Sequence, residues 1–273
     1  MAATSGKQFP VGLKYGAAFA LTVNGIPSAT NATVYEGLQF TGANAFNLEA
    51  PQPRKIDHPG DDRLLASDFL PPIESATATI EVSKYDMTLN AFLSNTATWA
   101  EADMTMMPWA TNEQGNEPSV GLFLYQQSLN GSTGIRNWRY YVIPAARCIP
   151  APAGMTADQT NVVYNVTATP STKLLWGPTL TDATNGCTEA AIIEGHSEYQ
   201  PWIAAWRGDA STTAFLFSAN KQAKSTAKIS VWTVTDAGVV TEVTGTATLA
   251  TTGITIAGPL AATVSVVALY EIA

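Results

Sequence analysis

Residues 50–93 read APQPRKIDHPGDDRLLASDFLPPIESATATIEVSKYDMTLNAFL, and three textures follow one another within them. From Ala50 to Glu74, prolines, a PGDD turn and alternating charge leave no apolar period that would fold the segment on itself. Thr77–Val82 then alternates strictly. Ala78, Ile80 and Val82 fall on one face and Thr77, Thr79 and Glu81 on the other, the period of a half-buried strand. Asp86 stands as an N-cap before Leu89, Phe92 and Leu93, the i, i+3, i+4 spacing of a helix that stops near Ser94-Asn95. A helix this short is unstable alone in water, so its apolar stripe must lie on a sheet.

Structureless stretches longer than about 12–15 residues inside a compact domain are functional or disordered. This one carries Ile56, Leu64, Leu65, Phe69, Leu70 and Ile73, too much apolar surface for a solvated tether. It reads as an extended arm, spanning about residues 41–75, that buries those side chains against another copy of the chain.

Outside this stretch the chain is a string of short β signals. Gly16–Val23 alternates loosely into the hairpin-type turn Asn24-Gly25, and Thr33–Gln39 reads as its return strand. Val120–Tyr125 and Trp138–Ile143 are strong strands joined by a turn in 130–134, with Pro144 expected to stop the second. Asn161–Thr167 alternates with Val162, Tyr164 and Val166 inward, whereas residues 168–203 are turn-rich and yield no element. Beyond Trp206, extended pieces recur at Phe215, Ile229–Val234, Val239–Val243, Thr246–Ala250, Ile254–Ile256 and Val264–Tyr270. These predict an all-β chain with one short flanking helix. Residues 1–203 form the main domain and residues 204–273 a small β-sandwich, near the lower size limit for a self-sufficient core. No internal repeat relates the two.

Composition points the same way. Charged residues are 13% of the 273, well below the usual quarter, which suits a protein whose surface is largely covered by assembly. The net charge of −8 argues against a protein that neutralises nucleic-acid phosphates. Residues 1–203 carry ten Lys/Arg and eighteen Asp/Glu, and residues 204–273 carry four of each, so the acidity lies in the main domain. An ordinary mildly acidic domain accounts for this, as does a surface that repels a passing polyanion. Cys148 and Cys187 lack metal or redox spacing and suit a reducing compartment better than a disulfide scaffold. No secretory signal is visible at the N-terminus, and no apolar run is long enough to span a membrane.

The motifs of catalysis are missing. With only His58 and His196 and no G-x-S-x-G elbow, P-loop, G-x-G-x-x-G or H-E-x-x-H, no catalytic, cofactor or metal site is expected. Asp57, His58, Asp61 and Asp62 share one Pro/Gly turn but lack calcium-loop spacing, and Asp side chains stabilising a turn explain them better. A carboxylate pair of hydrolytic type is not singled out. Arg207-Gly208-Asp209 spells an adhesion tripeptide, yet turn chemistry accounts for it. The alternative function is therefore a carbohydrate-binding or adhesion sandwich with Trp206, Trp232 and the RGD turn near a binding face. Against it, tryptophans on strands, such as Trp138 and Trp232, more often pack in a core.

The run IDHPGDDRLLASDFLPPIESATATIEVSKYDMTLNAFL resembles the major tail tube protein of long, non-contractile (siphovirus-type) bacteriophage tails. In that family a proline-rich arm with a GDD…DFLPP stretch precedes an alternating strand and an Asp-initiated helix. VGLFLYQQ, GIRNWRYYVIPAARCIPAPAGM and VVYNVTATPS resemble the family's paired strands and its TPS exit. The likeness covers about residues 10–200. The C-terminal TTAFLF, AKISVWTV and VVALYEIA are similar to a small β module appended to phage tail proteins, though Asp236-Ala237-Gly238 replaces its usual Asn-Gly turn.

The resemblance implies a two-sheet, tail-tube-like sandwich or barrel. Six copies would close into a ring, and rings would stack into a virion tube assembled in the bacterial cytoplasm. The C-terminal module would decorate the outside. Implied partners are the chain itself, tape-measure, tail-terminator and distal-tail proteins, and DNA passing through the lumen without specific binding, with no membrane and no cofactor. The inter-subunit contact would fall on Lys55, Ile56, Asp61, Asp62, Arg63, Leu64, Leu65, Phe69 and Leu70.

Overall fold

The computed structural model describes residues 8–22, 25–30, 32–49, 54–60, 63–70, 75–102, 104–107, 117–131, 134–151, 162–169, 191–194 and 199–272. In chain order the strands begin with β1 Gln8–Ala20, β2 Leu38–Gln39, β3 Ala43–Glu49, β4 Arg54–Gly60, β5 Arg63–Leu70 and β6 Thr77–Val82. Helix α1 spans Met87–Leu93. Then come β7 Trp99–Glu101, β8 Met104–Met106, β9 Val120–Asn130, β10 Arg136–Pro150, β11 Val162–Ala168 and β12 Ala191–Glu194. The C-terminal strands are β13 Pro201–Arg207, β14 Ala214–Leu216, β15 Ile229–Thr235, β16 Val240–Glu242, β17 Thr248–Ala250, β18 Gly253–Thr255 and β19 Val264–Glu271. The protein is all-β.

A large antiparallel sheet runs β2-β1-β9-β10-β11-β6-β3, with β12 on β10. A second sheet runs β13-β19-β15-β16 and a third β14-β18-β17. The three stack face to face, and strand parity shows how. Along β9, Val120, Leu122 and Leu124 join the inner core of the large sheet, while Phe123 and Tyr125 point to its outer face. On β10, Ile143 points inward, and Trp138, Tyr140 and Val142 point outward.

Helix α1 covers the inner face. Asp86 Oδ1 accepts from the backbone N–H of Thr88 at 2.9 Å and of Leu89 at 3.1 Å, satisfying two of the unpaired donors at the helix start. Its Leu89 and Leu93 join Ile80, Leu122 and Val166 in the inner core, and the helix lies against β10. It ends at Ser94, with Asn95 left-handed at φ 51°.

The outer face is covered by the second sheet, whose Ile203, Ala205, Val234 and Val267 pack against Phe19, Phe123, Tyr125 and Trp138. The alternate residues of the same strands, Trp202, Ala204, Trp206, Val266 and Ala268, meet Phe215 and Ile254 of the third sheet. β13 and the centre of β19 are therefore buried on both faces, which is why β13 reads PWIAAWR with no polar period. Tyr35 ties the layers further. Its backbone pairs with that of Ala205, and its Oη accepts the Ala20 N–H at 2.7 Å. The division expected near residue 204 falls inside β13, a strand paired along its length with β19.

Several expected elements change on folding. Pro144 does not end its strand. The register with β9 shifts between Ile143 and Ala146, and a proline at such a bulge forfeits no ladder bond. The return strand expected at Thr33–Gln39 shrinks to Leu38–Gln39, because Tyr35 leaves the large sheet for Ala205. The region expected to be featureless contains β12 and the start of β13. Within the stretch expected to lack local structure, residues 54–60 and 63–70 form the β4–β5 ribbon.

Candidate assembly surface

Of the residues expected to contact a neighbouring copy, Lys55 and Ile56 fall on β4 and Arg63, Leu64, Leu65, Phe69 and Leu70 on β5, and these strands pair with each other. Arg54 stands opposite Leu70, Lys55 opposite Phe69, Ile56 opposite Asp68, Leu64 opposite Pro59 and Arg63 opposite Gly60. The register shifts between His58 and Pro59, where the proline has no N–H to offer. Lys55 is exposed and Ile56 half-buried. Leu65 lies on β5 between Leu64 and Ala66, while Asp61 and Asp62 lie outside the described residues. Among the described residues, neither strand pairs with any other sheet. A lone two-stranded ribbon is at best marginally stable in water, so it gains most by docking on something further.

A second ribbon, missed from sequence, lies beyond α1. β7 and β8 pair Trp99 with Met106 and Glu101 with Met104 across a turn where Ala102 takes φ 52°. Residues two apart share a face, so Trp99 and Met104 lie on the same side, 50% and 61% exposed. A tryptophan and methionines this close to a tight turn were the available signal. The segment is too short for its period to register.

Between the two ribbons in sequence runs β6, paired to β3 at one margin of the large sheet. The two ends of that sheet approach one another without closing, since β1 and β3 touch but do not pair. A shallow cleft of about 170 Å³ lies at their junction, where Phe46 packs on Tyr141 and the Tyr141 hydroxyl donates to Gln126 Oε1 at 3.1 Å. Asp57 and His58 are backbone members of β4, and among the described residues no group of three or more His, Cys, Asp or Glu is placed to hold a metal.

The RGD tripeptide is built into a turn. Arg207 Nη1 and Nη2 donate to the two Asp236 carboxylate oxygens at 2.7 and 2.6 Å, and Nη1 also reaches Ser265 Oγ at 3.0 Å. Gly208 passes so close to the backbone carbonyls of Leu260 and Ala261 that a Cβ would lie 2.6 Å from the Leu260 oxygen. Asp209 Oδ2 accepts from the Thr212 hydroxyl, and Oδ1 accepts from the backbone N–H groups of Thr212 and Ser211. These bonds, the Thr212 hydroxyl foremost, hold its carboxyl well below the usual carboxylate range. Trp206 is fully buried and Trp232 is 4% exposed, so neither offers a platform to solvent. Cys148 is a free thiol deep in the inner core, pushed up by burial, and Cys187 lies outside the described residues.

No protein-family model and no curated protein matches the chain. Among the described residues, no helix is long and apolar enough to cross a membrane.

Proposed function

We propose that the chain is a structural subunit of a phage tail tube. In this reading six copies close into a ring, rings stack, and the lumen conducts DNA during delivery into a bacterial host. The observation that carries the reading is the β4–β5 ribbon, whose strands pair only with each other among the described residues and which is followed by a second, Trp99-bearing ribbon. The resemblance of residues 56–93 to tail tube proteins supports it, as does the acidity of residues 1–203, which suits a conduit that must not hold DNA. An open sheet whose ends meet without pairing also gains by joining a neighbour, since ring closure removes free edges. Such a subunit belongs in the virion tail, beside the proteins that set tube length and cap its ends. Its work is mechanical and electrostatic, not catalytic.

Replacing Lys55 to Leu70 with a short Gly-Ser turn tests the assignment. Concentrated wild-type protein should form tubes in negative-stain micrographs. The replacement should stay a folded single particle. Tubes from the shortened protein would remove the ribbon from the interface, and a wild-type protein that never polymerises would overturn the tube itself.

A further inference from the structure

Where the middle sheet lies over one end of the large sheet, a cleft of about 230 Å³ opens between them. Behind it lie Trp138 and Tyr140, buried in the core that the two sheets share. Its accessible wall is apolar, made by the half-buried Tyr199 and Leu269 and the exposed Ala227. Ser230 and Glu271, both half-buried, bring a hydroxyl and a carboxylate to the opening. The exposed Lys228 stands beside them, and Lys224 Nζ lies 4.9 Å above the Tyr199 ring. Among the described residues, neither ammonium is ion-paired to a carboxylate.

The β7–β8 ribbon carries the complement. Residues opposite one another in an antiparallel pair share a face, so Trp99, Glu101, Met104 and Met106 all stand on one side of it. Trp99, Glu101 and Met104 are exposed there. A tryptophan gains by leaving water only if its indole N–H finds an acceptor, which Glu271 and Ser230 offer. The cleft is smaller than the roughly 300–1,000 Å³ of a small-molecule pocket, the scale of one aromatic anchor with a charged rim. We propose that the β7–β8 ribbon of one copy docks in this cleft on a neighbouring copy. The Trp99 ring lies against Tyr199 and Leu269, its N–H donates to Glu271, and Glu101 meets Lys224 and Lys228. The ribbon follows α1 on the inner side of the large sheet, whereas the cleft opens on the outer side. The contact thus joins two different surfaces, the head-to-tail kind that closes rings. The inference rests on the tube reading and gives it a specific joint.

Sedimentation velocity on the full chain at rising concentration tests it, at about 50 mM salt where charge pairs are weakly screened. Trp99→Ala should weaken self-association at least about tenfold. Glu101→Lys and Lys228→Glu should each weaken it about fivefold, and the two combined should return it to within about twofold of wild type. All lie on exposed side chains, so each variant should melt within about 2 °C of wild type. Should Trp99→Ala fail to fold, the charge swap decides alone. A combined variant no stronger than its parents would overturn the joint. Variants that all assemble at wild-type strength would overturn it too, leaving the cleft to a small aromatic ligand or a different protein while the tube stands. Wild-type protein that stays single at every concentration would remove both.

Discussion

Ending the chain at Gln200 removes the middle and outer sheets and strips the cover from the large sheet's outer face. Phe19, Phe123 and Tyr125 are 1–2% exposed in the full chain, and Trp138 and Tyr140 are 9% exposed. Aromatic side chains bury roughly 150–250 Å² each. If half of that area returned to water for these five, about 500 Å² at about 25 cal/mol/Å² would cost about 12 kcal/mol. A whole domain is stable by only about 5–15 kcal/mol. Residues 1–200 should therefore aggregate, or bind a hydrophobic dye strongly without a cooperative urea transition. In the full chain, tryptophan fluorescence and far-UV circular dichroism should report one coincident unfolding transition. A truncated protein that is monomeric, dye-silent and cooperatively folded would refute the shared-core reasoning, because the C-terminal sheets would then be an independent attachment.

Asp86→Ala removes both cap bonds at the start of α1 and should cost about 0.5–2 kcal/mol, read as a lower urea midpoint at unchanged slope. An unchanged midpoint would mean the cap is solvated instead. The Arg207–Asp236 pair makes a pH prediction. Its carboxyl is held below the usual range, chiefly by the Arg207 hydrogen bonds. A depressed folded pKa adds stability above the unfolded value near 3.9, and that stability is lost as pH falls through the folded one. Asp236→Asn should thus melt below wild type at neutral pH and converge with it as the pH falls through the depressed folded value. A gap that persists in acid would show that something other than the carboxylate charge is at work.

How much was legible depended on whether one face of an element meets water. Thr77–Val82 and the Asp86-capped helix could be read residue by residue, because polar and apolar positions alternate at the period of the element. VGLFLY was legible as a strand, but its burial on both faces was not, since Leu122 and Phe123 look alike in sequence yet enter different cores. β13 was missed for the same reason. Its unbroken apolar run has no period, although a short apolar run of that length is itself a strand signal. The 54–70 ribbon was hidden by its proline and register shift, which break the alternation a hairpin is recognised by. Of the assembly residues expected there, the structure joins Lys55 to Phe69 and Leu64 to Pro59. Trp99 and Met104 on the neighbouring ribbon had not been anticipated.

The middle sheet also has a consequence for descent. A module that doubles as its host's wall cannot be gained or lost as a cassette, because Phe19, Phe123, Tyr125, Trp138 and Tyr140 would all have to turn polar in step with its departure. Lineages related to this one should therefore inherit the parts together, the outer three-stranded layer included, since its loss would in turn uncover Trp202, Trp206 and Val266.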